Sequence, residues 1–271
     1  MKTPPHHPFR SARKRDRYLR RYDERASTWP AESETRMVET PSGETFMRIS
    51  GPVEGPPLVL LPSASATSLF WRPNIEALSR TFRVHALDNI YDFGRSVFRR
   101  PFKTPDDLTS WLDEVFDALG LHGDVSLMGL SYGAWITGQY ALRFPERLRA
   151  AVMIAPPATI MQLPGAWAWY GLSALIPHIH FMRNMMRWMF PVLTRRTDPE
   201  SVQLREALLD DAYLGLRCFK LKMPVSPTVL TDDELARLSA VPTLFLVGEH
   251  EVIYPADKAV ERLAGAAPGI R

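Results

Sequence analysis

Cysteine is almost absent: Cys218 stands alone among 271 residues. A single thiol excludes an intramolecular disulfide framework and suits a reducing cytoplasm, where the protein is expected. With no second cysteine to pair with, Cys218 reads as a small buried side chain. No run of about 18 uninterrupted apolar residues occurs, so no spanning helix, and no integral membrane segment, is expected. The nearest stretch, "AWAWYGLSALIPHIHFM", is broken by Gly171, Pro177, His178 and His180. The N-terminus lacks the continuous apolar core of a signal peptide, and none is expected. There is no internal repeat and no low-complexity tract. No cluster of metal-ligating residues stands out, so neither metal nor cofactor is expected.

What is present is ordinary for a globular protein: 45% hydrophobic and 23% charged residues. The net charge of +3 is unevenly spread, since residues 1–25 carry nine Lys/Arg against three Asp/Glu, leaving −3 for the remainder. Such an arm can bind nucleic acid or an anionic membrane. Here Tyr18, Leu19 and Tyr22 are spaced to share one helix face among the arginines. The expectation is a helical arm over residues 1–30, packed on the body by those three side chains, with no nucleic-acid partner.

Short apolar runs bounded by turn residues follow: "TFMRIS" (45–50), "PLVLLP" (57–62), "FRVHALD" (82–88), "DVSLMG" (124–129), "AAVMIAP" (150–156) and "PTLFLVG" (242–248). Helical patterns lie between them at 74–80, 106–119 and 134–144. Strands alternating with helices predict a mostly parallel, doubly wound α/β sheet. Residues 158–235 contain no strand-like run but much Trp, Met and Leu at helical spacing. They predict an all-helical insertion, a cap, between core segments 31–157 and 236–271.

Gly129-Leu130-Ser131-Tyr132-Gly133 spells G-x-S-x-G between a strand and a helix. That setting places Ser131 on a sharp strand-to-helix turn and aims the Tyr132 N–H at an incoming substrate. A small Gly/Ser loop without chemistry is the competing reading. With this motif on the page, the chain resembles the serine α/β-hydrolases, and more closely the capped bacterial carboxylesterases that include the naproxen-type esterases. "PLVLLPSASATSLFWRPNI", "ALDNIYDFGRS", "MGLSYGAW" and "PTLFLVGEHEVIYP" carry the resemblance. It implies an α/β-hydrolase fold, a small-molecule ester substrate, Ser131 as nucleophile and Glu251 as the triad acid. Glu251 occupies the aspartate position of a G-x-x-D pattern.

The resemblance further implies two oxyanion donors, the Tyr132 N–H and one from the loop after "PLVLL". Pro62 replaces a residue that would carry an N–H there, so Ala64 N–H is the expected donor. Trp71, Met182, Met186 and Met189 are expected to line a substrate pocket, although the methionine stripe also reads as the core of the cap itself. Asp88, in "D-x-x-x-D-x-G-R-S", reads as structural.

The base is missing from its expected place. The resemblance implies a histidine in a Gly-His turn about 25 residues past the acid, after one more strand, whereas the sequence runs only to Arg271. Its last strand and closing helix would lie there too, leaving "PTLFLVG" with an unpaired apolar edge that favours association, a homodimer included. Within the chain only His178 and His180, in the insertion, are placed to substitute. Two other readings stay open: a non-catalytic small-ligand binding protein of the same fold, and a lyase or C–C bond hydrolase using the same triad.

Overall fold

A computed structural model describes residues 5–174, 176–220, 222 and 225–271. Residues 1–4 of the expected arm, and 175, 221, 223 and 224 of the expected cap, lie outside the described residues. Eight strands form one sheet: β1 (Ser33–Thr40), β2 (Gly43–Ser50), β3 (Pro57–Leu61), β4 (Arg83–Leu87), β5 (Val97–Phe98), β6 (Val125–Leu130), β7 (Leu148–Ile154) and β8 (Thr243–Leu246). Their order is β1-β2-β4-β3-β6-β7-β8, with β5 on β2. From β4 to β8 every pairing is parallel, while β1, β2 and β5 join antiparallel. The expected mostly parallel α/β architecture is therefore found.

The parallel strands are read easily because both their faces are covered. Toward one face pack α3 (Pro105–Ala118), α4 (Tyr132–Arg143), α9 (Asp232–Leu238) and α10 (Ala256–Ala266), enclosing Trp111, Trp135, Tyr140, Leu127 and Phe245. Thr104 caps α3 with a capping box through Asp107, Pro105 occupies the first turn, and Gly120 takes φ +72° just past its end. Such a cap contributes about 1 kcal/mol. The other face carries α2 (Arg72–Leu78) over Leu58, Leu60, Val84 and Ala86.

Cover on that second face thins toward β8. Register sets Leu60 beside Met128, Met128 beside Val152 and Val152 beside Leu244. Leu60 is fully buried and Met128 and Val152 are half-buried, but Leu244 and Leu246 are 39% and 42% exposed. The sequence predicts an unpaired outer edge on β8, whereas part of that edge is paired by Arg271. Phe245 N–H donates to Arg271 O (2.7 Å) and Arg271 N–H to Thr243 O (3.1 Å), the bonding pattern of a parallel neighbour.

The basic arm forms α1 (Ala12–Ala26), N-capped by Ser11. Tyr18 and Tyr22 are buried with Phe9, Phe46, Cys218 and Phe219, and half-buried Leu19 joins them. Arg25 pairs with Asp211 of α8 (Pro199–Cys218) at 3.1 Å. The arm's cations thus border a packed helix. Between β7 and β8 lie α5 (Gly165–Ala174), α6 (Ile179–Met189), α7 (Pro191–Arg195), α8 and α9, with no sheet strand among the described residues. Tyr170 stacks on Trp188 (5.1 Å), and Trp167 and Trp188 reach the main core. No described helix is long and apolar enough to cross a membrane.

Candidate active site

Parallel strands end at one edge of the sheet, and loops there are the natural place for chemistry. Along that edge, in spatial order, come the turn after β4 with Asp88 and Asp92, the loop after β3 with Ala64, the β6–α4 turn with Ser131, and the turn after β8 with Glu251.

Ser131 adopts φ 51°, ψ −117°, a region that L-residues other than glycine avoid. Holding it there costs about 1–3 kcal/mol, which the surrounding contacts must offset. Ser131 N–H still donates to Ile154 O of β7 (2.8 Å), while Ser131 O already accepts from Trp135 N–H of α4 (3.0 Å). The chain therefore turns from strand to helix at a single residue.

The flanking glycines are required by space. A Cβ on Gly129 would lie 2.2 Å from Gly133 O, and one on Gly133 would lie 2.3 Å from Leu61 O and 2.6 Å from Pro62 O. All these atoms are backbone, so nothing can swing aside. Gly133→Ala is accordingly expected to destabilise the fold by about 3 kcal/mol, read from denaturant unfolding; a loss below about 1 kcal/mol would contradict this packing.

Tyr132 opens α4, and an N–H in a first turn has no partner within its helix. Its phenol is tied down, donating to Val225 O at 2.8 Å. Burial raises the phenol above its ordinary range, and the nearby Asp92 carboxylate raises it further. In the loop after β3, Asn89 Nδ2 donates to Pro62 O (3.2 Å), and Ala66 N–H to Ser63 O (3.2 Å). Ala64 stands exposed at the tip of this turn.

Glu251 is half-buried, its N–H donating to Gly248 O (3.1 Å). Its Oε1 accepts from Val252 N–H (2.7 Å) and Ile253 N–H (3.2 Å). Among the described residues Oε2 takes no hydrogen bond. Burial, and then the charge of Glu251, push the phenol of buried Tyr254 up.

Asp88 is structural, as its motif suggested. Its carboxylate accepts from Ser68 N–H (2.7 Å), Arg95 N–H (2.8 Å) and Tyr22 O–H (3.2 Å), tying α1 and two loops together. Burial raises its pKa and these bonds oppose the rise.

The pocket expectations fare unevenly. Trp71 is only 3% exposed, packed with Leu58, Leu60 and Ile75 against the sheet. It closes the 3-10 turn Ser68–Trp71. Met186 is buried and Met182 and Met189 are half-buried on α6, which packs on α5, α7 and α8. A cleft of about 560 Å³ is lined by Tyr91, Phe102, Lys103, Val225, Ser226 and Thr228. A second of about 340 Å³ is lined by Ala158, Gln162, Leu163, Pro227, Thr228 and Val229. Neither is lined by Ser131.

Among the described residues no histidine hydrogen-bonds Ser131 or Glu251. His178 and His180 are exposed, His178 capping α6 and His180 contacting Asn184. His250 and His122 are exposed, and His7 lies against Phe98. Buried His85 is pushed down to about 4, first by desolvation and then by Arg83 and Arg36. No group of side chains fit to hold a metal ion occurs among the described residues.

Sequence reading missed Asp92 and Lys222. Asp92 Oδ2 accepts from Ser65 N–H (2.9 Å), and Lys222 Nζ donates to Asp92 O (3.1 Å). The ammonium lies 4.9 Å from the ring centres of both Tyr91 and Phe98. The extra aspartate inside "DNIYDFGRS" was a signal, but its partner 27 residues upstream was not foreseeable.

Comparison with known proteins agrees with this geometry. Residues 56–271 match the family model described as alpha/beta hydrolase fold. A carboxylesterase of Bacillus subtilis, YbfK, is 33% identical over 94% of this chain and 84% of its own length. An uncharacterized carboxylesterase of the same bacterium, nap, is 32% identical over 94% and 83%. The crystal structure of naproxen esterase from Bacillus subtilis superposes with a TM-score of 0.84 at 31% identity, over 96% of this chain and 90% of that one. With its parallel sheet and a serine on the strained strand-to-helix turn, the chain belongs to the α/β-hydrolase fold family.

Proposed function

We propose that the protein is a serine hydrolase of carboxylic esters, with Ser131 as nucleophile. The observation that carries the reading is the elbow: a non-glycine residue at positive φ, between two glycines that admit no Cβ, at the start of a helix. The carboxylesterase names of the two Bacillus relatives support the substrate class.

In this reading Ser131 Oγ attacks the ester carbonyl while its proton passes to an imidazole. The tetrahedral oxyanion is held by Tyr132 N–H and Ala64 N–H. Collapse expels the alcohol, which takes that proton back, and leaves an acyl-enzyme. Water then attacks the acyl group by the same route and releases the acid. Glu251, with Oε1 fixed by two amides, orients the imidazole through Oε2. The imidazole is that of a histidine seated between Ser131 Oγ and Glu251 Oε2, a place that none of the described histidines takes. Residues 158–235 act as a cap, with Met182, Met186 and Met189 supplying adaptable apolar surface to the acyl or aryl group.

A fluorophosphonate probe tests the reading. One adduct is expected on Ser131, found by peptide mass mapping, and none on the Ser131→Ala protein. The exposed positions of His178, His180 and His250 favour a second reading, a small-ligand binding protein without catalysis. Failure of the probe to label Ser131 in a form extended by a histidine-bearing strand would decide for it.

A further inference from the structure

Resting on that reading, we infer that Asp92 is a positioning residue for the oxyanion loop: its carboxylate accepts the Ser65 N–H and thereby presents the Ala64 N–H to the anion formed at Ser131.

The loop after β3 has few amides to offer. Pro62 has none, Ala66 N–H is spent on Ser63 O, and Ser65 N–H is spent on Asp92 Oδ2. Ser63 and Ala64 are left, and of these Ala64 is the exposed one. Ser65 itself sits at φ +60°, a conformation that a non-glycine residue keeps only where its surroundings enforce it. The enforcing contact is the bond to Asp92, because Ser65 is otherwise exposed.

Asp92 is built to hold still. Its Oδ1 accepts from Phe93 N–H (2.8 Å), so each oxygen has an amide partner. Its carbonyl takes the Lys222 ammonium, which is lodged among the rings of Tyr91, Phe98 and Phe219. The next ring, Phe93, lies against Gly215 of α8, where a Cβ would come within 2.3 Å of it. The turn carrying Asp92 is therefore gripped by α8 and the segment after it, and it passes that rigidity to the oxyanion loop. Burial pushes the Asp92 carboxyl up to about 6, with Lys222 and the two amide bonds opposing it, so the charged acceptor is retained at neutral pH.

The test measures the rate at which the full chain is labelled by a fluorophosphonate, separating the inactivation step from probe binding. In Asp92→Leu, which removes the acceptor with little change of bulk, the inactivation step is expected to slow about tenfold with binding unchanged. Asp92→Asn, which keeps an oxygen acceptor, is expected to stay within about threefold of the parent. Parent-like labelling of Asp92→Leu, equal slowing in Asp92→Asn, or a loss confined to binding would each overturn the inference. Amide hydrogen exchange on the unsubstituted protein decides it if Asp92→Leu does not fold. Ser65 N–H should be protected at least about tenfold and Ala64 N–H should exchange freely; an unprotected Ser65 would overturn it. If the unsubstituted protein is not labelled at Ser131 even in a form that carries the base, the hydrolase reading fails instead, while the exchange result still judges the loop contact.

Discussion

Ser131→Ala is expected to abolish hydrolysis of short p-nitrophenyl esters, by at least about a thousandfold, in a form of the protein whose chain continues past Arg271 into a histidine-bearing strand. Removing Oγ removes the atom that becomes bonded to the acyl group, and the other hydroxyl of the elbow, the Tyr132 phenol, is buried and donates to Val225 O. The substitution leaves the backbone of the turn intact, so folding should change little. Alanine at φ 51° is no worse placed than serine. The measurement is initial-rate kinetics on p-nitrophenyl acetate and butyrate with unfolding curves for both proteins. Undiminished turnover by a folded Ser131→Ala protein would remove the serine from the mechanism.

The second large effect concerns the base. The 271-residue chain is expected to turn over the same esters about three to four orders of magnitude more slowly than a form extended by the strand and Gly-His turn that the family resemblance implies. The hydroxyl of Ser131 is a poor nucleophile until its proton has somewhere to go, and no described histidine hydrogen-bonds it. Residual turnover should persist, because oxyanion donors remain and act without a base. Equal turnover by the two forms would mean that residues 1–271 contain the base, and His178→Ala and His180→Ala would then identify it.

The five parallel strands could be read from sequence because each is a continuous apolar run between turn residues. In β3 and β4 that pattern reflects burial on both faces, while β8 shows it with Leu244 and Leu246 still exposed. β1 could not, since "SETRMVET" lies at the sheet edge and buries only Val38 and Thr40. β5 spans two residues, too few for any periodicity. Ser131 was visible through its glycines, whose spacing is dictated by backbone collisions, of Gly129 with Gly133 within the turn and of Gly133 with Leu61 and Pro62 of the neighbouring strand and loop. Trp71 ends buried against the sheet after the 3-10 turn Ser68–Trp71, a turn too short to show any periodicity in the sequence. The Asp92–Ser65 bond joins two loops after neighbouring strands, and only the sheet order brings them together.

The central claim is that the elbow presents Ser131 Oγ to a substrate whose developing oxyanion falls between Tyr132 N–H and Ala64 N–H. Diffraction from crystals treated with diethyl p-nitrophenyl phosphate examines it directly. The expected density is a diethyl phosphate bonded to Ser131 Oγ, with its phosphoryl oxygen about 2.7–3.1 Å from both amide nitrogens. An adduct on another residue, or a phosphoryl oxygen turned away from both amides, would contradict it.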